Sequence, residues 1–451
     1  MEVLLLLLVL AGFLAFDYYA FQAIRTLTRR LDKRRLRQLI HSIYWGTTIA
    51  LAVVVVVGSI RIPALRFQGD GGAGYINAIF AGVLLVYIPK LVLALFMLFE
   101  DIKRGLQHLR WTKQLAKQLA KPQAKRKLQA AGGLTPIAQP ISAASGEDLR
   151  LAADKISRSE FLAKAGLITA AVPFFTIIRG ITDGRYNYQV FERTIPVKGL
   201  PLAFEGLRIV HLTDIHTGSF DNKDAVVRGI RMVMQQKPDL LLFTGDIVNN
   251  LATELEAWME IYHELQAPMG TFAVLGNHDY GDYIRDWPTP NGREKNLSQL
   301  MDYERQIGFN LLMNEHVYLE KGGQKLALVG IENWGRLPFP QYGDLDKASA
   351  GLSKDEPKIL LSHDPTSFDD LVVPHEKDFH LTLSGHTHGF QFGIETGDFR
   401  WSPVQLRYER WADHYSVGHQ HLYVNRGYGF IGFPGRIGIL PEIAVLTLQR
   451  A

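Results

Sequence analysis

The sequence predicts an all-helical membrane region followed by an α/β domain, and three observations carry that prediction. Long apolar runs are confined to residues 3–178. Charge is divided along the chain: residues 1–200 hold 27 Lys+Arg against 12 Asp+Glu, whereas residues 201–451 hold 22 against 33, so the net +4 is the difference between a basic part and an acidic part. From residue 186 onward, short apolar runs with polar ends alternate with amphipathic stretches, the pattern of buried strands joined by helices. A length of 451 residues suggests two to four domains and allows a large core. The absence of cysteine excludes disulfide scaffolds, thiolate zinc sites, cysteine-ligated iron–sulfur clusters and cysteine nucleophiles. The acidic, histidine-rich second part also argues against a nucleic-acid binder that relies on overall basicity.

Residues 1–127 read as a membrane region with three spans, at about 3–24, 39–60 and 75–99. Each has the ~20 apolar residues that cross a bilayer core of about 30 Å as a helix. A cleaved signal peptide fits the first run poorly, because no basic residue precedes it and further spans follow. Pro89-Lys90 interrupts the third run, which predicts a kink and a lysine facing the bundle or a functional group. The loops at 25–37 and 103–127 carry seven and nine basic residues, with one acidic residue between them. The positive-inside rule makes both cytoplasmic and puts the N-terminus outside.

Residues 128–185 read as a Gly/Ala/Ser/Pro-rich linker followed by a fourth span at 161–178. The segment around Ser157 to Lys164 is similar to a twin-arginine export signal, but Ser159 stands at the second arginine position. A crossing here places everything that follows on the extracytoplasmic side, and Lys155 and Arg158 continue the positive side.

Residues 186–451 read as the α/β domain. LRIVHLTDIH (207–216), DLLLFTGDIV (239–248) and TFAVLGNHD (271–279) are strands with polar ends, and 222–237 fits an amphipathic helix. Ligands bind at strand ends in such sheets, and five ends carry metal-ligand residue types: Asp214-x-His216, Gly245-Asp246, Gly276-Asn277-His278-Asp279, His363, and Gly385-His386-Thr387-His388. In an extended segment, residues i and i+2 share a side, so each of the two pairs would face one site. Any one of these signals is weak, since a lone strand-end aspartate is usually a cap or turn residue. Imidazoles, carboxylates and an amide oxygen together suit Mn²⁺, Fe or Zn²⁺.

D-x-H, G-D, G-N-H-D, H and G-H-x-H, in that order, resemble the five motifs of the calcineurin-like metallophosphoesterases. The resemblance covers about 201–450. The membrane-anchored layout, LTDIHTG, SGHTHGFQ and YVNRGYGFIGFPGRIGILPEIAVLTL look like the bacterial membrane-associated branch, which includes enzymes acting on phosphodiesters and on uridine-diphosphate-diacylglucosamine. The resemblance implies a four-layer α/β/β/α sandwich and two divalent metal ions bridged by Asp246. Asp214, His216 and His388 would complete one ligand set, and Asn277, His363 and His386 the other. Mn²⁺ is the expected metal, with Fe and Zn²⁺ as alternatives. The implied reaction is in-line attack on phosphorus by a metal-bridging hydroxide, at a phosphodiester or pyrophosphate bond of a lipid-linked or nucleotide-linked substrate. His278 would be the general acid, and Asp279 would orient it. Two other classes compete. A transporter with a regulatory domain has few polar positions in the spans to support it, and a catalytically silent sensor usually lacks motif residues that are all present here.

Weaker signals complete the reading. The polar, aromatic loops at 280–297 and 332–345 are placed to shape a substrate site. Arg426 is a candidate substrate-phosphate contact. The apolar loop 428–440 fits either a membrane contact or a buried crossing, and burial is the expectation for apolar residues. His375, His380, His414, His419 and His421 match no motif and are expected to be structural.

Overall fold

The computed structural model describes residues 2–65, 73–119, 157–397 and 399–451. The linker expected at 128–149 lies outside them. The chain divides into two compact units, Met1–Val53 with Val83–Phe175, and Val54–Gly82 with Thr176–Ala451.

Helices cover all four expected spans: α1 (Glu2–Thr28), α2 (Arg34–Leu65), α3 (Ala73–Leu119) and α4 (Arg158–Thr182). Among the described residues, three stretches are long and apolar enough to cross a membrane, Arg34–Gly58, Gly74–Gln114 and Arg158–Tyr186. Helix α3 runs through Pro89 without ending there. In the first unit Ala23, Leu93, Met97, Ala163 and Ala170 pack together, joining α1, α3 and the first half of α4. Lys90 turns inward, as one reading required. Its Nζ donates to Asp17 Oδ1 and Thr48 Oγ1, each at 2.6 Å, and lies 4.6 Å from the ring centre of Tyr44.

The second unit contains two six-stranded mixed sheets. The first is built from β1 (Gln189–Val197), β2 (Arg208–Leu212), β3 (Leu240–Phe243), β4 (Thr271–Ala273), β5 (Asn310–Leu311) and β14 (Glu442–Arg450), in the order β1-β14-β2-β3-β4-β5. The second is built from β6 (Glu315–Lys321), β7 (Gln324–Gly330), β8 (Lys358–Leu361), β9 (Leu381–Ser384), β12 (Asp413–Val417) and β13 (Gln420–Val424), in the order β12-β13-β9-β8-β7-β6. A hairpin of β10 (Ile394–Thr396) and β11 (Phe399–Trp401) stands apart. The C-terminal strand β14 sits inside its sheet, parallel to β1 and antiparallel to β2.

The alternation of side chains along the strands builds the layers. Ile209, Leu240 and Leu242 join Leu328, Ile359, Leu361, Leu381 and Leu383 in a core between the two sheets. The alternate residues Val210, Leu212, Leu241 and Phe243 meet Val226, Ile230 and Val233 of α5 (Lys223–Gln235) and Leu300 of α6 (Gly292–Gln306). On the far side, Val329, Leu360 and Val424 meet Phe368 and Val372. Three apolar seams separate four layers, α/β/β/α, as the resemblance implied.

Candidate metal centre

The strands stop earlier than the sequence suggested. β2 ends at Leu212, β3 at Phe243 and β4 at Ala273, so the chemistry-bearing residues lie on the loops beyond. The period-two argument for the paired residues is therefore corrected. Asp214, His216, Asp246, His386 and His388 all have φ between +50° and +70°. Such left-handed conformations are uncommon outside glycine and persist where surrounding structure enforces them. Here the enforcement is visible: Asp214 N–H donates to Gly245 O at 2.9 Å and His216 N–H to Asp246 O at 3.1 Å. The glycines of the motifs leave room for carboxylates. A Cβ on Gly276 would strike the Asp246 carboxylate, and one on Gly385 would strike that of Asp214.

Two groups of ligand atoms converge. Asp214, His216 and His388 form one, Asp246, His363 and His386 the other, and the atoms within each lie within 4.8 Å of one another. Asp246 stands between the groups, its Oδ2 3.6 Å from His216 Nε2 and 3.1 Å from His363 Nε2. His388 Nε2 is 3.3 Å from Asp214 Oδ1. His363 Nδ1 pairs with Thr244 O at 2.6 Å, which leaves Nε2 for the centre. Tyr408 OH sits 2.7 Å from His386 Nε2, while His386 Nδ1 faces His363 Nε2 at 3.3 Å. Asn277 donates to Tyr283 OH through Nδ2, which frees Oδ1 to face the centre.

The residues fit a pair of divalent cations. Asp214 Oδ1, Asn277 Oδ1, His388 Nε2 and both nitrogens of His216 are buried without a hydrogen-bond partner, an expensive arrangement unless a cation completes it. The electrostatics agree. Burial raises the Asp214 carboxyl to about 6 and lowers the His216 and His386 imidazoles to about 3 and 4. At His363 burial opposes the charge, but the Asp246 carboxylate outweighs it and lifts the imidazole to about 10. The carboxylates thus draw positive charge into a buried place.

His278 lines a cavity of about 310 Å³ above these groups, together with Tyr283, Phe339, His386, Arg407 and Tyr408. Its Nδ1 pairs with Asn249 O at 2.7 Å, which leaves Nε2 for the cavity. Asp279 does not orient that ring. Its carboxylate instead accepts the N–H groups of Asp246, Ile247 and Val248 from the loop after β3, and of Gly276 from the loop after β4, at 2.7–3.3 Å. Burial and the nearby Asp246 raise its carboxyl to about 7.

Arg426 is not brought to this site. It is fully buried, with Nη1 2.6 Å from Glu442 and Nη2 2.5 Å from Glu395, so two carboxylates already occupy its terminal nitrogens. A larger cavity of about 450 Å³, lined by Gln189, Arg193, Glu395, Arg400 and Asp413, contains none of the ligand set. The loops singled out at 280–297 and 332–345 contribute Tyr283 and Phe339 to the cavity wall. Arg407 and Tyr408 lie in a stretch without a motif, and nothing in the sequence marks them. The loop 428–440 is largely buried, with Tyr428, Phe430 and Ile439 at 0% exposure. Of the five unassigned histidines, His414 and His421 pair with each other at 2.9 Å.

Comparison with known proteins gives the following. Residues 207–390 match the family described as "Calcineurin-like phosphoesterase", and residues 1–185 match "Probable Calcineurin-like phosphoesterase, transmembrane domain". The "Uncharacterized metallophosphoesterase YkuE" of Bacillus subtilis (strain 168) is 30% identical over 304 residues, covering 65% of this chain and 98% of that protein. A "Transmembrane protein with metallophosphoesterase domain" of Danio rerio is 29% identical over 292 residues, 63% of this chain and 62% of that protein. The Bos taurus protein of the same name is 28% identical over 311 residues, 66% of each. The match thus spans less than two thirds of either vertebrate protein.

Proposed function

The chain belongs to the calcineurin-like metallophosphoesterases, and we propose that it hydrolyses phosphodiester or pyrophosphate bonds from a membrane-anchored dimetal site. The observation that carries this reading is the convergence of two buried His/Asp groups on either side of Asp246, at the floor of a cavity that His278 lines. Asp214, His216, His388 and Asp246 would hold one ion. Asp246, Asn277, His363 and His386 would hold the other. Mn²⁺ suits this cysteine-free donor set, with Fe and Zn²⁺ as alternatives. Two such ions, when bound, supply Lewis-acid charge toward phosphoryl oxygens and acidify water.

The chain's own residues do the rest. Gly276 and Gly385 keep space beside the carboxylates. Asp279 fixes the loop that carries Asp246. His278 Nε2, set by the Nδ1 contact to Asn249, can donate a proton to a leaving oxygen or hydrogen-bond the phosphoryl group. Arg407 lines the cavity, with its Nη2 donating to Leu337 O at 3.0 Å, and its guanidinium can meet a substrate phosphate.

Four crossings with basic loops inside would put this domain on the extracytoplasmic side. Protease treatment of intact spheroplasts tests that placement, and protection of the domain would overturn it. The activity is tested by turnover of bis(p-nitrophenyl) phosphate by the full-length protein loaded with Mn²⁺, Zn²⁺ or Fe. No turnover with any of the metals would refute the reading.

A further inference from the structure

The end of α1 and the start of α2 enclose a cationic cleft. Gln22, Arg25 and Thr26 in the last two turns of α1, with Arg29 just beyond, follow an i, i+3, i+4, i+7 spacing, which puts them on one face. Arg37 and His41 are four residues apart on α2 and share a face for the same reason. These six residues line a cavity of about 400 Å³. It lies wholly within the first compact unit and shares no residue with the two metal-ligand groups. Three guanidiniums converge on one space, and among the described residues that line it there is no carboxylate.

The walls are held from behind. The Thr28 hydroxyl donates to Ile24 O at 2.8 Å, so its oxygen accepts from His41 Nε2 at 2.8 Å, and His41 keeps Nδ1 for the cavity. The Phe21 ring meets the imidazole edge to face, 4.9 Å between centres. Gln22 Oε1 accepts from Arg25 Nη1 at 3.4 Å. The acid Glu160 pairs instead with Arg30 at 3.1 Å and Lys164 at 3.0 Å. Basic residues in this loop would serve membrane orientation wherever they pointed, and Lys33, Arg34 and Arg35 lie exposed outside the cavity. Orientation thus accounts for the number of charges but not for the convergence of Arg25, Arg29 and Arg37. Like charges gathered this way repel, and an anion between them would turn that repulsion into attraction.

We propose that this cavity is a binding site for a phosphomonoester-type dianion, on the side of the membrane that the positive-inside rule makes cytoplasmic. Guanidinium forks match phosphate oxygens two N–H groups at a time. Three of them call for a partner with more than one negative charge. The volume falls within the range of about 300–1,000 Å³ typical of small-molecule sites, so the phosphate enters with an organic group attached. That group is either the glycerol of an anionic headgroup at the membrane surface or the body of a soluble phosphomonoester. With no carboxylate in its described lining to hold a metal ion, the cavity binds the dianion and does not hydrolyse it. The proposal stands apart from the phosphoesterase reading.

Methylphosphonate and dodecylphosphonate test it. Both present the dianion on a P–C bond, which a phosphoesterase does not cleave, and they differ only in the chain. Each is titrated calorimetrically, at mildly alkaline pH, into full-length metal-loaded protein in dioleoyl-phosphatidylcholine nanodiscs. The same titration is made of Arg29→Gln with Arg37→Gln, so binding at the metal centre is common to both and cancels. The double variant should lose about 100-fold in affinity, roughly tenfold per guanidinium. Loss for both phosphonates identifies a soluble phosphate ligand, and loss for dodecylphosphonate alone identifies a lipid headgroup. Arg34→Gln with Arg35→Gln removes the same charge from the same loop outside the cavity and should leave affinity within about threefold, less than one lost guanidinium contact. Equal loss in the two double variants, or loss in neither, would overturn the proposal. Melting without phosphonate reads the folding of each variant. Should the cavity variant melt early, Arg29→Lys with Arg37→Lys takes its place, keeping the charge without the forks, and unchanged affinity for both phosphonates in it would overturn the guanidinium recognition.

Discussion

The Asp279 carboxylate accepts the backbone N–H of Asp246 at 2.7 Å, so the residue next to the candidate acid serves the loop that carries the candidate bridging carboxylate. Asp279→Asn turns an amide donor toward a nest of N–H donors. Each donor left unpaired in a buried place costs about 1–3 kcal/mol, and loss of such supporting contacts typically lowers metal affinity about 10- to 100-fold. The expected result is a lower melting temperature and weaker metal binding, read by calorimetric titration. Unchanged metal affinity would show that the loop holds its shape without this carboxylate.

His278→Ala should lower kcat by about 100- to 10,000-fold, the usual contribution of a positioned acid. Metal content should stay near two ions per chain, because His278 belongs to neither ligand group. Elemental analysis alongside steady-state kinetics separates the two effects.

Asp246→Asn should weaken both ion sites together, since its carboxylate faces His216 and His363. His388→Ala should weaken one and spare the other. Metal stoichiometry during dialysis against a chelator distinguishes them, and a tightly bound pair in Asp246→Asn would refute the bridging role.

Acid should destabilise the fold through a histidine outside the ligand set. His211 is fully buried, and burial lowers its pKa from 6.5 to about 3. Between these values the unfolded chain binds a proton that the folded chain refuses. Stability is therefore complete above pH 6.5 and declines as pH falls toward 3, at up to about 1.4 kcal/mol per pH unit. His380, lowered to about 4 chiefly by burial with His419 and Lys358 nearby, acts in the same direction. Melting of metal-loaded protein from pH 6.5 to 5 should fall more steeply for the unsubstituted chain than for His211→Gln. Parallel slopes would assign the acid sensitivity elsewhere.

The Lys90–Asp17 contact in the first unit is buried on both sides, with Lys90 5% and Asp17 1% exposed. Removing one partner of a buried pair strands the other, at a cost of about 3–5 kcal/mol. Lys90→Met alone should lower the melting temperature in detergent, and adding Asp17→Asn should recover most of the loss. A double variant no better than the single one would show that the pair is not coupled.

The sequence made much of this architecture legible, for identifiable reasons. Long apolar runs and basic loops register in composition, so the four helices fall where hydropathy placed them. The ligand types at strand ends register as motifs, and the structure gathers Asp214, His216, Asp246, Asn277, His363, His386 and His388 around one centre. What stayed hidden depends on backbone direction. The left-handed turns at Asp214 and His386 could not be read from spacing, which assumed extended chain. The partners of the Asp279 carboxylate stayed hidden too, because a resemblance in motif does not say which way a carboxylate turns. Arg426 looked like a free cation because Glu442 and Glu395, its partners, are 16 and 31 residues away. Tyr408 and Arg407 carry no pattern at all, and only the folded chain brings them to the cavity.

Arg436 N–H donates to Gly180 O, in the last turn of α4, at 3.1 Å, and that contact sets a boundary for dissecting the protein. Arg436 fills the back of the centre, its Nη2 3.1 Å from His388 Nδ1 and bonded to the carbonyls of Arg426, Gly427 and Gly429. A soluble fragment that starts after Thr182 would be clipped on the wrong side of this contact. It would lose the carbonyl that holds the Arg436 backbone and, with it, part of the scaffolding behind His388. Fragments meant to report the chain's own behaviour should retain the last turn of α4, whose Gly180 carbonyl holds the Arg436 backbone behind His388.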